Sequence, residues 1–214
     1  MTTIIGRGVR VEVQKTIGGA KTISAISQAT EGVAASTAHG LTAGTVGYLT
    51  SVEGMVQLEG MACRVKAPTT DAFTLEGLDT TAFPAFSGTA LFTPITAYDT
   101  LGEATGFSIG GGEAEKLDDT ALIHDVKQEL PGLLAAQTVS ININAQTSPS
   151  VAMTTIETAA RNAADLGMRV TYKDGAVRVF RGSPSLPGED VQKGSIGTGS
   201  FSVTVKGFVI KGAA

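Results

Sequence analysis

Apolar residues recur at every second position in two stretches of the chain, the pattern of a strand with one buried face. In the first, RGVRVEVQK at residues 7–15, Val9, Val11 and Val13 share one side. In the second, Val139, Ile141, Ile143 and Ala145 alternate with Thr138, Ser140, Asn142 and Asn144, and Ser148-Pro149-Ser150 closes the run. The period then lengthens. Met153, Ile156, Ala160, Ala163 and Leu166 form a stripe with helical spacing, which predicts a helix at about 151–166 with Gly167 as its stop. Thr154 and Glu157 form a capping box if that helix starts slightly later. Alternation resumes in MRVTYKDGAVRVFRG, where Met168, Val170 and Tyr172 precede a turn at Asp174-Gly175 and Val177 and Val179 follow it, predicting a hairpin. Residues 183–199, rich in Gly, Pro and Ser, predict a long loop. The final run GSFSVTVKGFVIKG predicts one long strand with Phe201, Val203, Val205 and Val209 in one parity.

Ahead of these elements lie short β runs separated by Gly and Thr, with strands expected near Thr22 and at 46–51, 61–67 and 72–75 and a turn at Thr69-Thr70-Asp71. The expected division is an N-terminal strand and assembly segment at 1–29, a small β module, possible as an insertion, at 30–96, and a larger β region with the helix at 97–214. The boundary falls in a soft stretch, 93–101, marked by Pro94.

Composition supports a mainly β fold. The chain has 214 residues, 42% hydrophobic and 17% charged, with 27 Gly, no Trp and many Thr and Ser. That is enough length for a real core and too apolar for a disordered chain. The single cysteine, Cys63, excludes an intrachain disulfide and a cysteine metal cluster and reads as a half-buried strand thiol. The start MTTIIGRGV lacks a signal-peptide pattern and no run is long enough to cross a bilayer, so a soluble protein made in the cytosol, without membrane insertion, is expected. A net charge of -4 argues against tight non-specific nucleic-acid binding through a cationic surface.

Candidate chemistry is sparse. Gly110-Gly111-Gly112 lacks the spacing of a phosphate-binding loop and is followed at once by acids that would repel phosphate. His39 and His124 stand alone, and no serine sits in a nucleophile motif. The densest cluster is Glu113, Glu115, Asp118 and Asp119 around Lys116, which lacks the alternating ligands of an EF-hand and reads as a solvated or interface patch. Arg161, Arg169, Lys173, Arg178 and Arg181 make the later region locally basic. Alternation puts Arg169, Thr171 and Lys173 on the polar face of the hairpin, where Arg169 and Lys173 are candidate subunit-interface bases for a neighbour's acids. No catalytic, cofactor or metal site is expected, and the chain does not read as an enzyme.

The passage EAEKLDDTALIHDVKQELPGLLAAQTVSININ, residues 113–144, resembles the acidic passage of the tail tube proteins of long, non-contractile-tailed bacteriophages. The helix ending in DLG, the YKDGAVRVFRG hairpin and the terminal FSVTVKGFV run recur in the same order, so the likeness covers about half the chain. Ala121 and Gln137 depart from the family's polar residue and glycine. Residues 33–92 are similar to a small β module of phage structural proteins, either an inserted or decorating lobe or extra strands integrated into the fold. The resemblance implies a β-sandwich with one flanking α-helix. It implies self-association into hexameric rings that stack into a tube in the virion tail, with double-stranded DNA passing through unbound. It also implies tail assembly, tape-measure and terminator proteins as partners, and makes Glu113, Glu115, Asp118 and Asp119 candidate lumen or inter-ring acids. The alternatives are a tail terminator or virion decoration or adaptor protein, and, from a different class, a β-rich hydrolase or ion-dependent binding module.

Overall fold

The computed structural model describes residues 8–120 and 125–213. The first part of the chain forms β1 (Arg10–Ile17), β2 (Lys21–Ile23), β3 (Ala25–Ile26), β4 (Val33–Ala35), β5 (Val46–Thr50), β6 (Ala62–Lys66) and β7 (Ala72–Leu75). The long β8 (Ala90–Thr100) leads into β9 (Ala104–Gly110), β10 (Ala114–Asp118), β11 (Glu129–Leu134) and β12 (Thr138–Asn144). The helix α1 (Val151–Arg161) follows, then β13 (Leu166–Thr171), β14 (Val177–Pro184), β15 (Gly188–Asp190), β16 (Thr198–Val205) and β17 (Ile210–Gly212). The fold is mainly β with one helix, as the composition and resemblance indicated: one large curled sheet runs β3-β4-β7-β6-β5-β8-β1-β13-β14-β16-β12-β9, in a sandwich-like arrangement.

Two hydrophobic cores lie along this sheet. One gathers Ile23, Leu49, Phe73 and Phe92 from the 30–96 region together with Val177, Val179 and Ile210. The other packs Val13, Ile141, Met168, Phe180 and Val203 under Ile156 of α1. Strand β14 serves both, because successive side chains point to opposite faces: Val177 and Val179 enter the first core and Phe180 the second. Strand β8 passes through the expected soft boundary as one continuous strand, pairing with β2 and β5 through its first residues and with β1 through its last.

Three local expectations are corrected. The helix stops at Arg161, not near Leu166: Ala163 adopts a left-handed φ of 50°, and Ala164 N–H donates to Ala159 O at 2.9 Å. Its cap is Ser150, whose hydroxyl accepts from Met153 N–H, so no Thr154–Glu157 box forms. Gly167 instead lies inside β13, where a Cβ would collide with Ile95. The long loop is interrupted, since β14 runs to Pro184 and β15 pairs with β16. The final strand breaks at Gly207, φ 76°, where a Cβ would strike Met61, and β17 turns away to pair with β14.

Candidate assembly surfaces

The triglycine is a kink inside a ladder. Strand β9 pairs with β12 up to Gly110↔Thr138, and the pairing resumes as Ala114↔Leu134 in β10 and β11, so β9–β12 form one long hairpin. At the break Gly111 and Gly112 have φ of 77° and 80°, and a Cβ on Gly111 would collide with Ala136 O. Beyond it, β10 and β11 pair, among the described residues, only with each other, as a separate two-stranded sheet. They form an arm extending past the end of the main sheet. Residues 111–120 span about 30 Å when extended.

The arm carries what the acidic reading did not single out. Leu117 and Leu130 face each other across it, and Leu117, Leu130, Leu133 and Leu134 are all exposed, Leu133 at 83%. A two-stranded ribbon is marginal in water by itself, and leucines left open on one call for a covering surface. The opposite parity is charged: Lys116 and Asp118 lie with Glu129, which pairs with Lys116 at 3.4 Å and Lys127 at 2.8 Å. The four candidate acids are all exposed but do not share one face. Glu115 has the parity of Leu117, Asp118 the opposite one, and Glu113 and Asp119 bracket β10. The Thr120 hydroxyl and N–H hold the Asp118 carboxyl below its usual range.

The candidate bases separate. Arg169 lies directly opposite Glu12 across β13 and β1 and grips it with two hydrogen bonds, Nε to Oε2 at 2.7 Å and Nη2 to Oε1 at 3.0 Å. Its guanidinium stacks 4.0 Å over the Tyr98 ring, and the Thr171 hydroxyl donates to the same carboxylate. Arg161 and Arg181 pair with Glu157 and Asp165, and Arg178 lies over Tyr172. Most of the local basicity is therefore neutralised or stacked within the chain. Lys173 stands exposed beside the Asp174-Gly175 turn, without an ion pair among the described residues.

Burial works to raise the Glu12 carboxyl, but hydrogen bonds from Arg169 and Thr171 and the Arg169 charge outweigh it and hold the pKa below 4.5. The sign follows: this pair contributes its full stability above the unfolded value near 4.5, and the contribution is lost as pH falls through the lower folded value. Arg169→Ala should therefore cost about 2 kcal/mol near neutral pH by leaving a largely buried carboxylate without its cation. Glu12→Gln should flatten the acid limb of a urea-unfolding stability profile below pH 4.5. An unchanged limb would show that the pair adds nothing.

The remaining candidates are structural where they are described. His39 is buried, its Nδ1 accepts from Leu41 N–H at 2.9 Å, and its ring meets Phe73 edge-on. Accepting at Nδ1 places the proton on Nε2, which faces Ala72 O. His124 lies outside the described residues. Cys63 is fully buried rather than half-buried, which pushes its thiol up to about 12. Among the described residues no group of three or more His, Cys, Asp or Glu is placed to hold a metal ion, and no helix is long and apolar enough to cross a membrane.

A family model described as phage tail tube protein matches residues 53–206, from between β5 and β6, through the arm and the helix, to just past the end of β16. A search of curated proteins finds no match.

Proposed function

This chain belongs to the phage tail tube protein family, a structural component of the virion tail, and we propose that it assembles as hexameric rings stacked into a tube around a DNA-conducting channel. The arm is the observation that carries this reading, because leucines exposed on an unbraced ribbon require a partner surface. The sheet also ends on β9, whose outer backbone edge is unpaired among the described residues, and a neighbour in a ring would cover it.

In this arrangement Glu113, Glu115, Asp118 and Asp119 lie at the junction between rings, where their charge also discourages DNA from adhering to the wall. Lys173 is the base available to a lateral neighbour, while Arg169 acts within its own chain. The 30–96 region is an integrated part of the subunit, a reading supported by the continuity of β8 and the entry of Val177 and Val179 into its core. Tail assembly, tape-measure and terminator proteins are the partners at work during construction. Electron microscopy of concentrated protein should show hollow tubes with six-fold end views. Particles that remain monomeric under all assembly conditions would overturn the reading.

A further inference from the structure

The ladder is interrupted at the root of the arm. Pairing stops at Gly110↔Thr138 and resumes where Ala135 N–H donates to Glu113 O at 2.9 Å. Gly111 and Gly112 on one strand and Ala136 and Gln137 on the other lie between. Left-handed glycines carry no side chain to restrain them, so the glycine strand does not by itself fix the arm's direction. The opposite strand is held. Gln137 O accepts from Val205 N–H at 2.8 Å, and its side-chain Oε1 accepts from Val209 N–H, also at 2.8 Å. Both oxygens of Gln137 are thus bound to the turn between β16 and β17, while its Cγ lies 3.4 Å from where a Cβ on Gly112 would stand.

That turn is itself anchored. Lys206 N–H donates to Arg181 O at 2.8 Å, the Lys206 ammonium pairs with Asp165 at 2.7 Å, and Gly207 lies too close to Met61 for a Cβ to fit. Val209 packs against one core and Ile210 enters the other. Beyond them, Ala213 N–H donates to Glu76 of the 30–96 region at 2.9 Å. We infer that Gln137 is the positioning residue of the arm: it latches the arm's root to the β16–β17 turn and fixes one direction for the arm before subunits meet. The latch belongs to the single subunit, and its value for ring stacking rests on the tube reading above. An arm already aimed loses less freedom on binding than one that swings about a glycine pair. The side-chain bond is the discriminating one, because the Val205 bond uses main chain that any residue supplies.

Spin labels at Glu115→Cys on β10 and Thr158→Cys on α1 report the arm's direction, since both sites are exposed and the native Cys63 is buried. Unassembled protein should give one narrow distance between them. Gln137→Leu keeps the volume, removes the acceptor and should broaden that distance. Gln137→Glu keeps an acceptor and should leave it narrow. A merely structural role would lower the unfolding midpoint in Gln137→Leu without widening the distance in the folded protein. A distance already broad in the wild type, or equally narrow in Gln137→Leu, overturns the latch. Amide exchange on the wild type covers a Gln137→Leu chain that fails to fold: the Val209 amide should be protected, and exchange there at the rate of an open amide overturns the latch. Gln137→Leu should also raise the protein concentration needed for tubes several-fold, with Gln137→Glu close to wild type. An unchanged threshold in Gln137→Leu overturns the aimed arm as an aid to stacking. Wild-type protein with a narrow distance that never forms tubes supports the latch and strikes the tube reading alone.

Discussion

Replacing Leu117, Leu130 and Leu133 together with Asn should abolish tube formation while leaving the folded subunit almost as stable as before. The three side chains are half to four-fifths exposed, so they contribute little to the monomer. Burial of a whole leucine is worth roughly 1.5–3 kcal/mol, and covering the open part of each would give about 1–1.5 kcal/mol. Three such losses come to about 4 kcal/mol per subunit, which is about a thousandfold in association constant. In a ring every subunit loses its contact at once, so the effect compounds. Sedimentation should show the variant as unassembled protein at concentrations where wild type is tubular. Thermal unfolding of the two unassembled proteins should agree within about a degree or two, since solvent-exposed substitutions seldom change stability by more than about 0.5 kcal/mol. Tubes that persist in the triple variant would mean that the arm's leucines are not what rings share.

The regular parts of the fold were legible because their periodicity is local. Val11 and Val13 in β1, the whole of β12, and Met168, Val170, Val177 and Val179 on either side of Asp174-Gly175 follow the burial that their alternation predicts. What escaped depends on contacts distant in sequence. Nothing near Arg169 announces that Glu12, 157 positions away, is its partner, because that follows from β1 lying beside β13. The short Ala163-Ala164 turn that ends α1 has no glycine to signal it, and Gly167 looked like the stop because its packing role needs Ile95 of β8. Phe180 and Val179 are consecutive and both fully buried, so a one-sided reading of the hairpin could not show that two cores meet on β14.

The arm was visible as a charged landmark but not as a sticky one. Six acids against two lysines between residues 113 and 134 drew attention to electrostatics. The leucines beside them offered no helical or alternating pattern from which a buried face could be read. Their exposure becomes informative only once pairing shows that no other strand among the described residues covers them. The register also changes the meaning of the glycines. The left-handed backbone at Gly111-Gly112 lets one hairpin serve two surroundings, the interior of a subunit on one side of the break and, in the proposed tube, an assembly contact on the other.

Gly182→Val should prevent folding, the largest stability effect expected of any single substitution considered. Gly182 lies in β14 between Leu166 of β13 and Val205 of β16, at the junction through which the two halves of the sheet are joined. A Cβ there would overlap the Thr204 carbonyl oxygen and crowd the Val205 backbone. Both obstacles are main chain, so no rotamer change relieves them, and the strands must part. Parting them removes the Ser183↔Thr204 and Pro184↔Val203 pairings and opens the core around Phe180 and Phe201. Overpacking of a core costs about 1–3 kcal/mol where side chains can shift. Here lost ladder bonds add to it, and a total above about 4 kcal/mol consumes much of the 5–15 kcal/mol stability of an ordinary domain. Gly102→Ala is the matched control, because nothing lies within 4 Å of its Cβ position and its φ is not left-handed. Urea unfolding should place that control within about 1 kcal/mol of wild type, with the Gly182 variant recovered only as aggregate. A soluble, cooperatively unfolding Gly182→Val protein would mean that β14 and β16 can separate without loss of the core.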